Sequence, residues 1–368
     1  MAPKFLRSFV LITLFTFSSS VYAELIVGVA GPLSGSSLSI GEQNEIGAQV
    51  AIDVINENGG LLGENVSLVS VDDACDPAQA EAAAAQLVAQ GVSFVVGHIC
   101  SGASIAASKA YTDAGIIMMS PASTNPKVTE QGYTNVFRVC GRDDQQGVVA
   151  AEYMSVNFSD KNIAILHDGQ AYGKGLAEIT HQQLQARGLT AALVEEYAPE
   201  KTDYFEIVDK MISAAIDVAY VGGYRDDVAI LVRQAEEKGA DIQFIGGDAL
   251  FSSEFLLVSG DAGIGTLLTF GPDVTSLPNA SDVVSNFSDN YYVEPEGYTL
   301  YSYASVQAWS QAVATAGTTD TADVIAALQS GSFSTVIGEL GFDDKGDVTG
   351  ISNFVWFRFT QDAIVPHN

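Results

Sequence analysis

The feature that most restricts this chain is a strand-then-helix grammar that starts near residue 24 and then restarts. ELIVGVAG reads as a buried strand. GEQNEIGAQVAIDVINENGG reads as a helix with Ile46, Val50, Val54 and Ile55 on one face and a Gly59-Gly60 stop. NVSLVSVDDA is a strand, AQAEAAAAQLVAQG a helix, VSFVVG a strand, SGASIAASKAYTDAG a helix, and GIIMMSPAST a strand running into a turn. After NVFRVCGRDDQQG the grammar resumes. Helices begin at DDQQGVVAAEYMSVNF, YGKGLAEITHQQLQARG, DYFEIVDKMISAA and RDDVAILVRQAEEKG, alternating with the strands KNIAILHD, LTAALVEEYAPE, IDVAYVGG and IQFIGGD. Alternation of this kind implies parallel sheets covered by helices, so the expected fold class is α/β with two doubly wound lobes. The last third holds two helical stretches, TLYSYASVQAWSQAVATAG and TADVIAALQSG, and an apolar strand, NFVWFRF. That is too few βα units for a third domain, so it should return to complete the first lobe while the tail finishes the second.

The opening residues, MAPKFLRSFVLITLFTFSSSVYA, have a basic start, an apolar run from Phe9 to Phe17 and a small-residue ending. They read as a secretory signal peptide cleaved after Ala23, with an apolar run too short to span a bilayer comfortably. No cysteine stands at that cleavage point, so no lipid anchor is expected. Removing 23 of 368 residues leaves 345, which suits two domains. The mature chain would hold 14 basic against 45 acidic residues, a net charge of −31. Such a surface repels nucleic acid and anionic lipid. Three cysteines remain, Cys75, Cys100 and Cys140, and in an oxidising compartment two of them are expected to bridge; counting does not say which.

In open α/β sheets, ligands bind beyond the carboxyl ends of strands, where helix N-termini offer free N–H groups. The residues there are His98-Ile99-Cys100-Ser101, Pro121-Ala122-Ser123-Thr124, Gln170-Ala171-Tyr172, Tyr224 and Asp248. Hydroxyls from the first series face tyrosines and one carboxylate from the second, a set that suits a small zwitterion. Catalysis finds little support: His98 stands two residues before Cys100, which on a strand end does not put the ring on the thiol. No nucleophile elbow, zinc motif or dinucleotide fingerprint occurs, and the four histidines form no metal-like cluster. DDKGD at 343–347 lacks the spacing of a calcium loop and reads as a turn. The residues therefore call for no enzyme, metal or cofactor.

The ordered runs VDDACDPAQA, FVVGHICSGAS, GIIMMSPAST, LHDGQAYGKG, YVGGYRDD and FDDKGD resemble the periplasmic leucine/isoleucine/valine-binding protein family, the type I solute-binding proteins of ABC importers. The resemblance covers essentially the whole mature chain. It implies a multi-crossover hinge between lobe 1, residues 24–140 and 271–350, and lobe 2, residues 141–270 and 351–368. It implies a Cys75–Cys100 disulfide, leaving Cys140 unpaired near the first crossover. It also implies site roles: Ser101 for the ligand carboxylate, Ala122 through its backbone, Thr124 for carboxylate and ammonium, Tyr172 reaching across to the carboxylate, Tyr224 packing over the ligand, and Asp248 pairing with the ammonium. Ile40, Ile99 and Tyr298 would line the side-chain end. Two positions depart from the family pattern: Ile40 stands where tyrosine is frequent, and Asp248 after Gly247 stands where glutamate after proline is frequent. The implied function is a soluble periplasmic monomer that captures an aliphatic or branched-chain amino acid by lobe closure and hands it to a membrane permease. The alternatives are a small neutral amino acid, 4-aminobutyrate, an amide or urea as ligand, or a sensory ligand-binding role.

Overall fold

A computed structural model describes residues 25–351 and 354–367; the expected signal peptide lies outside the described residues. The first series runs β1 (Leu25–Gly31), α1 (Leu38–Glu57), β2 (Val66–Asp72), α2 (Pro77–Ala89), β3 (Phe94–Val96), α3 (Ser101–Ala114), β4 (Ile117–Ser120) and β5 (Val136–Arg138). Its strands form one parallel sheet in the order β2-β1-β3-β4-β5. Strands β3 and β4 are buried at every residue, so both faces of the sheet are covered. β5 was not legible as a strand in NVFRVC. It spans three residues, too few to show a period, and it forms because Val136 and Phe137 register beside Met118 and Met119.

The second series runs α4 (Asp143–Asn157), β6 (Ile163–His167), α5 (Ala171–Ala186), β7 (Leu193–Glu196), α6 (Phe205–Ser213), β8 (Val218–Gly222), α7 (Arg225–Glu237), β9 (Gln243–Gly246), α8 (Phe255–Ser259) and β10 (Leu267–Phe270). After α9 (Ser281–Asn286), α10 (Thr299–Ala316) and α11 (Thr321–Ser330), a small antiparallel sheet contains β11 (Phe333–Thr335), β12 (Gly338–Phe342) and β13 (Val348–Thr349). The tail is a hairpin of β14 (Val355–Phe359) and β15 (Ile364–Pro366). The second sheet runs β15-β14-β10-β9-β8-β6-β7, parallel from β10 to β7, with β14 antiparallel on β10.

Helix α10 is buried along most of its length, and Trp309 stacks on Phe94 of β3 at 4.8 Å between ring centroids. It also packs on α1, and that contact shifts the buried face of α1 from the expected one. Of Ile46, Val50, Val54 and Ile55, only Val50 is fully buried, together with Gly47, Ala48, Ala51 and Ile52. A side chain at Gly47 would collide with the Thr299 carbonyl. The small residues let two helices approach closely, a demand that hydrophobic periodicity does not register.

Candidate ligand site

The loops leaving β3, β4, β6, β8 and β9 converge at the carboxyl ends of both sheets. A small cavity lies there, lined by Ile40, Ile99, Ser101, Ala122, Tyr172, Tyr224, Asp248, Ala249 and Tyr298. Eight of those nine were named from the sequence. Ala249 was missed, and nothing in its residue type distinguishes it. Thr124 falls outside this lining. It is buried against an adjoining cavity with Cys140, Gly141, Phe270, Tyr301 and Phe354, and Tyr298 forms part of both walls.

Among the described residues, Asp248 is the one charged residue lining the site cavity, and it is 3% exposed. The Tyr172 hydroxyl donates to its Oδ1 at 2.9 Å, and the Tyr298 hydroxyl donates to its Oδ2. The Ala249 N–H in turn donates to the Tyr172 oxygen at 3.3 Å. Among the described residues, no Lys, Arg or His lines the cavity. Burial pushes the Asp248 carboxyl above its ordinary range, and the Tyr298 hydroxyl, the Gln146 amide and the Tyr172 hydroxyl act against that rise. Tyr298 reaches Asp248 because Gln43 on α1 accepts its backbone N–H at 2.9 Å, fixing the segment ahead of α10. Tyr172 and Tyr224 lie 5.3 Å apart between ring centroids, forming an aromatic wall.

Ser101, which lines the same cavity as Asp248, is the first residue of α3, so its N–H stands among the unpaired donors of a helix N-terminus. Its Oγ accepts from the Asn125 N–H at 3.2 Å. Cys100, at the N-cap, gives no side-chain cap. The site thus combines the N-terminus of α3 and the Ser101 hydroxyl with a carboxylate that has no counter-cation. That polarity matches a molecule bearing a carboxylate and an ammonium.

His98 takes no part in this arrangement. Its Nδ1 lies 2.6 Å from Asp73 Oδ2 and its Nε2 lies 3.0 Å from the Tyr111 hydroxyl, all three residues being buried. Asp73 also accepts the Cys75 N–H at 2.8 Å, bracing the loop that brings Cys75 to Cys100. Those two sulfurs lie at disulfide distance, with their Cα atoms 5.4 Å apart. Cys140 is buried, which raises its thiol pKa. The 343–347 run forms a turn, as its spacing indicated: the Asp343 carboxylate accepts the N–H groups of Lys345 and Asp347, each at 2.9 Å. Among the described residues, no group of three or more His, Cys, Asp or Glu side chains is arranged to hold a metal ion.

Two parallel-sheet units with a zwitterion-shaped cleft at their strand ends define a small-molecule binding protein of the type I periplasmic class. Comparison with known proteins makes the assignment specific: a family model described as periplasmic binding protein matches residues 24–362, and the chain belongs to that family. A Leu/Ile/Val-binding protein homolog 1 from Brucella suis biovar 1 is 40% identical over 353 residues, covering 96% of this chain and 95% of that one. An amino acid binding protein from Pseudomonas aeruginosa is 41% identical over 345 residues, covering 93% and 92%. Among solved structures, a leucine-binding protein from Thermotoga maritima superposes with a TM-score of 0.85 at 25% identity, covering 94% of this chain and 98% of that one.

Proposed function

We propose that this chain is the periplasmic substrate-binding protein of an ABC importer and that it captures an aliphatic, branched-chain L-amino acid. One observation carries the reading: Asp248, buried and lacking a cation, shares one cavity with Ser101 at the N-terminus of α3, a cavity also walled by Ile40, Ile99 and tyrosines. The ligand ammonium pairs with Asp248, and its carboxylate meets the Ser101 hydroxyl and N–H, with Tyr172 closing from the other side. Ala122 contributes backbone groups. Thr124 acts from the adjoining wall, Tyr224 packs over the ligand, and Ile40, Ile99 and Tyr298 meet the side chain. The names of the Brucella and Thermotoga relatives support leucine, isoleucine or valine.

Binding is the chain's activity in this reading; it is not an enzyme. Residues 24–140 with 271–350 make one lobe and 141–270 with 351–368 the other. The lobes close on the ligand as a hinged pair. The monomer leaves the cytoplasm by a signal peptide ending at Ala23, and the closed form is read by permease subunits of the inner membrane. A Cys75–Cys100 disulfide would contribute about 3 kcal/mol in the chain-entropy model. Thiol titration of denatured, unreduced protein should then find one free cysteine, Cys140; three would remove the bridge.

Calorimetry of the ligand-stripped protein against the twenty amino acids, 4-aminobutyrate and urea tests the function. Tight binding of leucine, isoleucine or valine is expected. Ile40 and the short Asp248 arm are the features that favour a second reading, so heat from 4-aminobutyrate or a small neutral amino acid alone would move the assignment there. No heat from any ligand would overturn amino-acid capture.

A further inference from the structure

Among the described residues no cation lines the ligand site, yet a buried guanidinium holds the loop that follows β4. Arg138, the last residue of β5, is completely buried and spreads its donors over three segments. Nη1 donates to the Ser123 carbonyl at 2.8 Å and to the Asn125 carbonyl at 2.9 Å. Nη2 donates to Thr129 Oγ1, and Nε donates to Asp347 Oδ1, each at 2.6 Å. The Arg138 backbone N–H donates to the Gly346 carbonyl at 3.0 Å. One nitrogen therefore fixes the two carbonyls that flank Thr124.

The consequences reach both walls of the cleft. Asn125, held by its carbonyl, donates its N–H to Ser101 Oγ at 3.2 Å and its side-chain Nδ2 to the Ala171 carbonyl at 2.7 Å. Ala171 is the first residue of α5, and Tyr172 follows it. Asn125 seats tightly here: a side chain at Gly175, one turn further along α5, would meet its Nδ2. On the other side, Asp347 is shared with Arg142 Nη1 at 2.5 Å and Thr129 Oγ1 at 2.7 Å. Arg142 immediately precedes α4, so the charged cluster sits where the chain leaves the first sheet for the second.

We propose that Arg138 is a positioning residue of the ligand site: its guanidinium sets the Ser123–Asn125 loop and, through Asn125, the register of Ser101 against the start of α5. A planar fork with several fixed donors is required, and an ammonium offers only a compact point charge in its place. The inference rests on the amino-acid reading of the site, and its test separates the two.

Ligand affinity is measured by calorimetry for Arg138→Lys, Asn125→Ala and the double variant, each shown folded by circular dichroism. Hydrogen exchange is followed at 168–176, to which the Arg138 side chain donates no hydrogen bond. Arg138→Lys should weaken binding at least tenfold and speed exchange at 168–176. Asn125→Ala should weaken binding several-fold, and the double variant should be little worse than Arg138→Lys, because both act through one loop. Affinity within twofold of wild type, or single effects that simply multiply, would overturn the proposal. If Arg138→Lys does not fold, Thr129→Val removes only the hydroxyl shared by Arg138 and Asp347. It should weaken binding a few-fold with faster exchange at 168–176, and unchanged values overturn the proposal. If wild type binds no amino acid, the functional reading fails, and the exchange comparison alone decides the role of Arg138: unchanged exchange refutes it, and faster exchange that disappears in an Asn125→Ala background sustains it.

Discussion

Two buried aspartates in this protein are treated in opposite ways. Asp347 is met by two guanidinium groups, Arg138 Nε at 2.6 Å and Arg142 Nη1 at 2.5 Å, and by the Thr129 hydroxyl. Burial pushes its pKa up, but those partners outweigh burial and hold the carboxyl below its usual range. Asp248 is met by neutral groups, the Tyr172 and Tyr298 hydroxyls and the Gln146 amide, and burial leaves its pKa above the usual range. A buried charge that serves the fold carries its counterion with it. In the proposed reading, Asp248 is desolvated in advance of a cation that comes from outside, which would concentrate the affinity of the site in one group.

The largest expected effect comes from breaking the compensated site. Asp347→Ala leaves two guanidinium groups without their shared partner and should cost about 3–5 kcal/mol of stability, measured by denaturant unfolding. A loss below about 1 kcal/mol would mean that solvent already screens the cluster, and the contrast would collapse. At the uncompensated site the balance should reverse. Asp248→Asn should weaken amino-acid binding by well over tenfold, more than about 1.4 kcal/mol, while stability at pH 7 holds or rises because an unpaired buried charge has gone. Unchanged affinity would remove Asp248 from the ammonium.

Acid separates the same pair. The Asp347 pKa is depressed in the folded protein, so its stabilisation is fully present above the unfolded value near 3.8 and is lost only as pH falls through the lower folded value. The Asp248 pKa is raised, so the free site takes up a proton at a pH above 3.8 and loses its attraction for an ammonium there. Affinity should therefore fall at a higher pH than the stability contributed by Asp347, as followed by calorimetry and unfolding across an acid series. Coincident losses would show that binding is lost through unfolding. The finest probe is Tyr298→Phe, which removes one hydroxyl from Asp248. It should change affinity at pH 7 by less than tenfold, consistent with one hydrogen bond of about 1 kcal/mol, and move the acid midpoint of binding upward. A downward shift would mean that the hydroxyl opposes the charged form.

Much of the fold was legible because long amphipathic or apolar segments declare themselves locally. The helices from α1 to α7 and the strands they connect follow from period and from glycine stops, and the order of ligand loops follows from the rule that clefts open at strand carboxyl ends. Short strands escaped: Val136–Arg138 and Leu267–Phe270 are strands because of the neighbours they register against. The α1 surface also escaped, because close packing on α10 selected Gly47 and Ala48 over larger apolar residues.

The sequence by itself determined the alternation that builds two parallel sheets, the acidic balance, and the residue types that stand at the strand ends. Family resemblance then named eight of the nine residues lining the cavity. Only the tertiary structure decided that Asp248 is held by two tyrosine hydroxyls arriving from Tyr172 and Tyr298, that Thr124 faces the adjoining cavity, and that Arg138 reaches Asp347, 209 residues away. The reason is physical. Backbone preference and hydrophobic period act over a few neighbours, whereas the charge state of a carboxylate depends on which donors three dimensions bring against it and on how completely water is excluded.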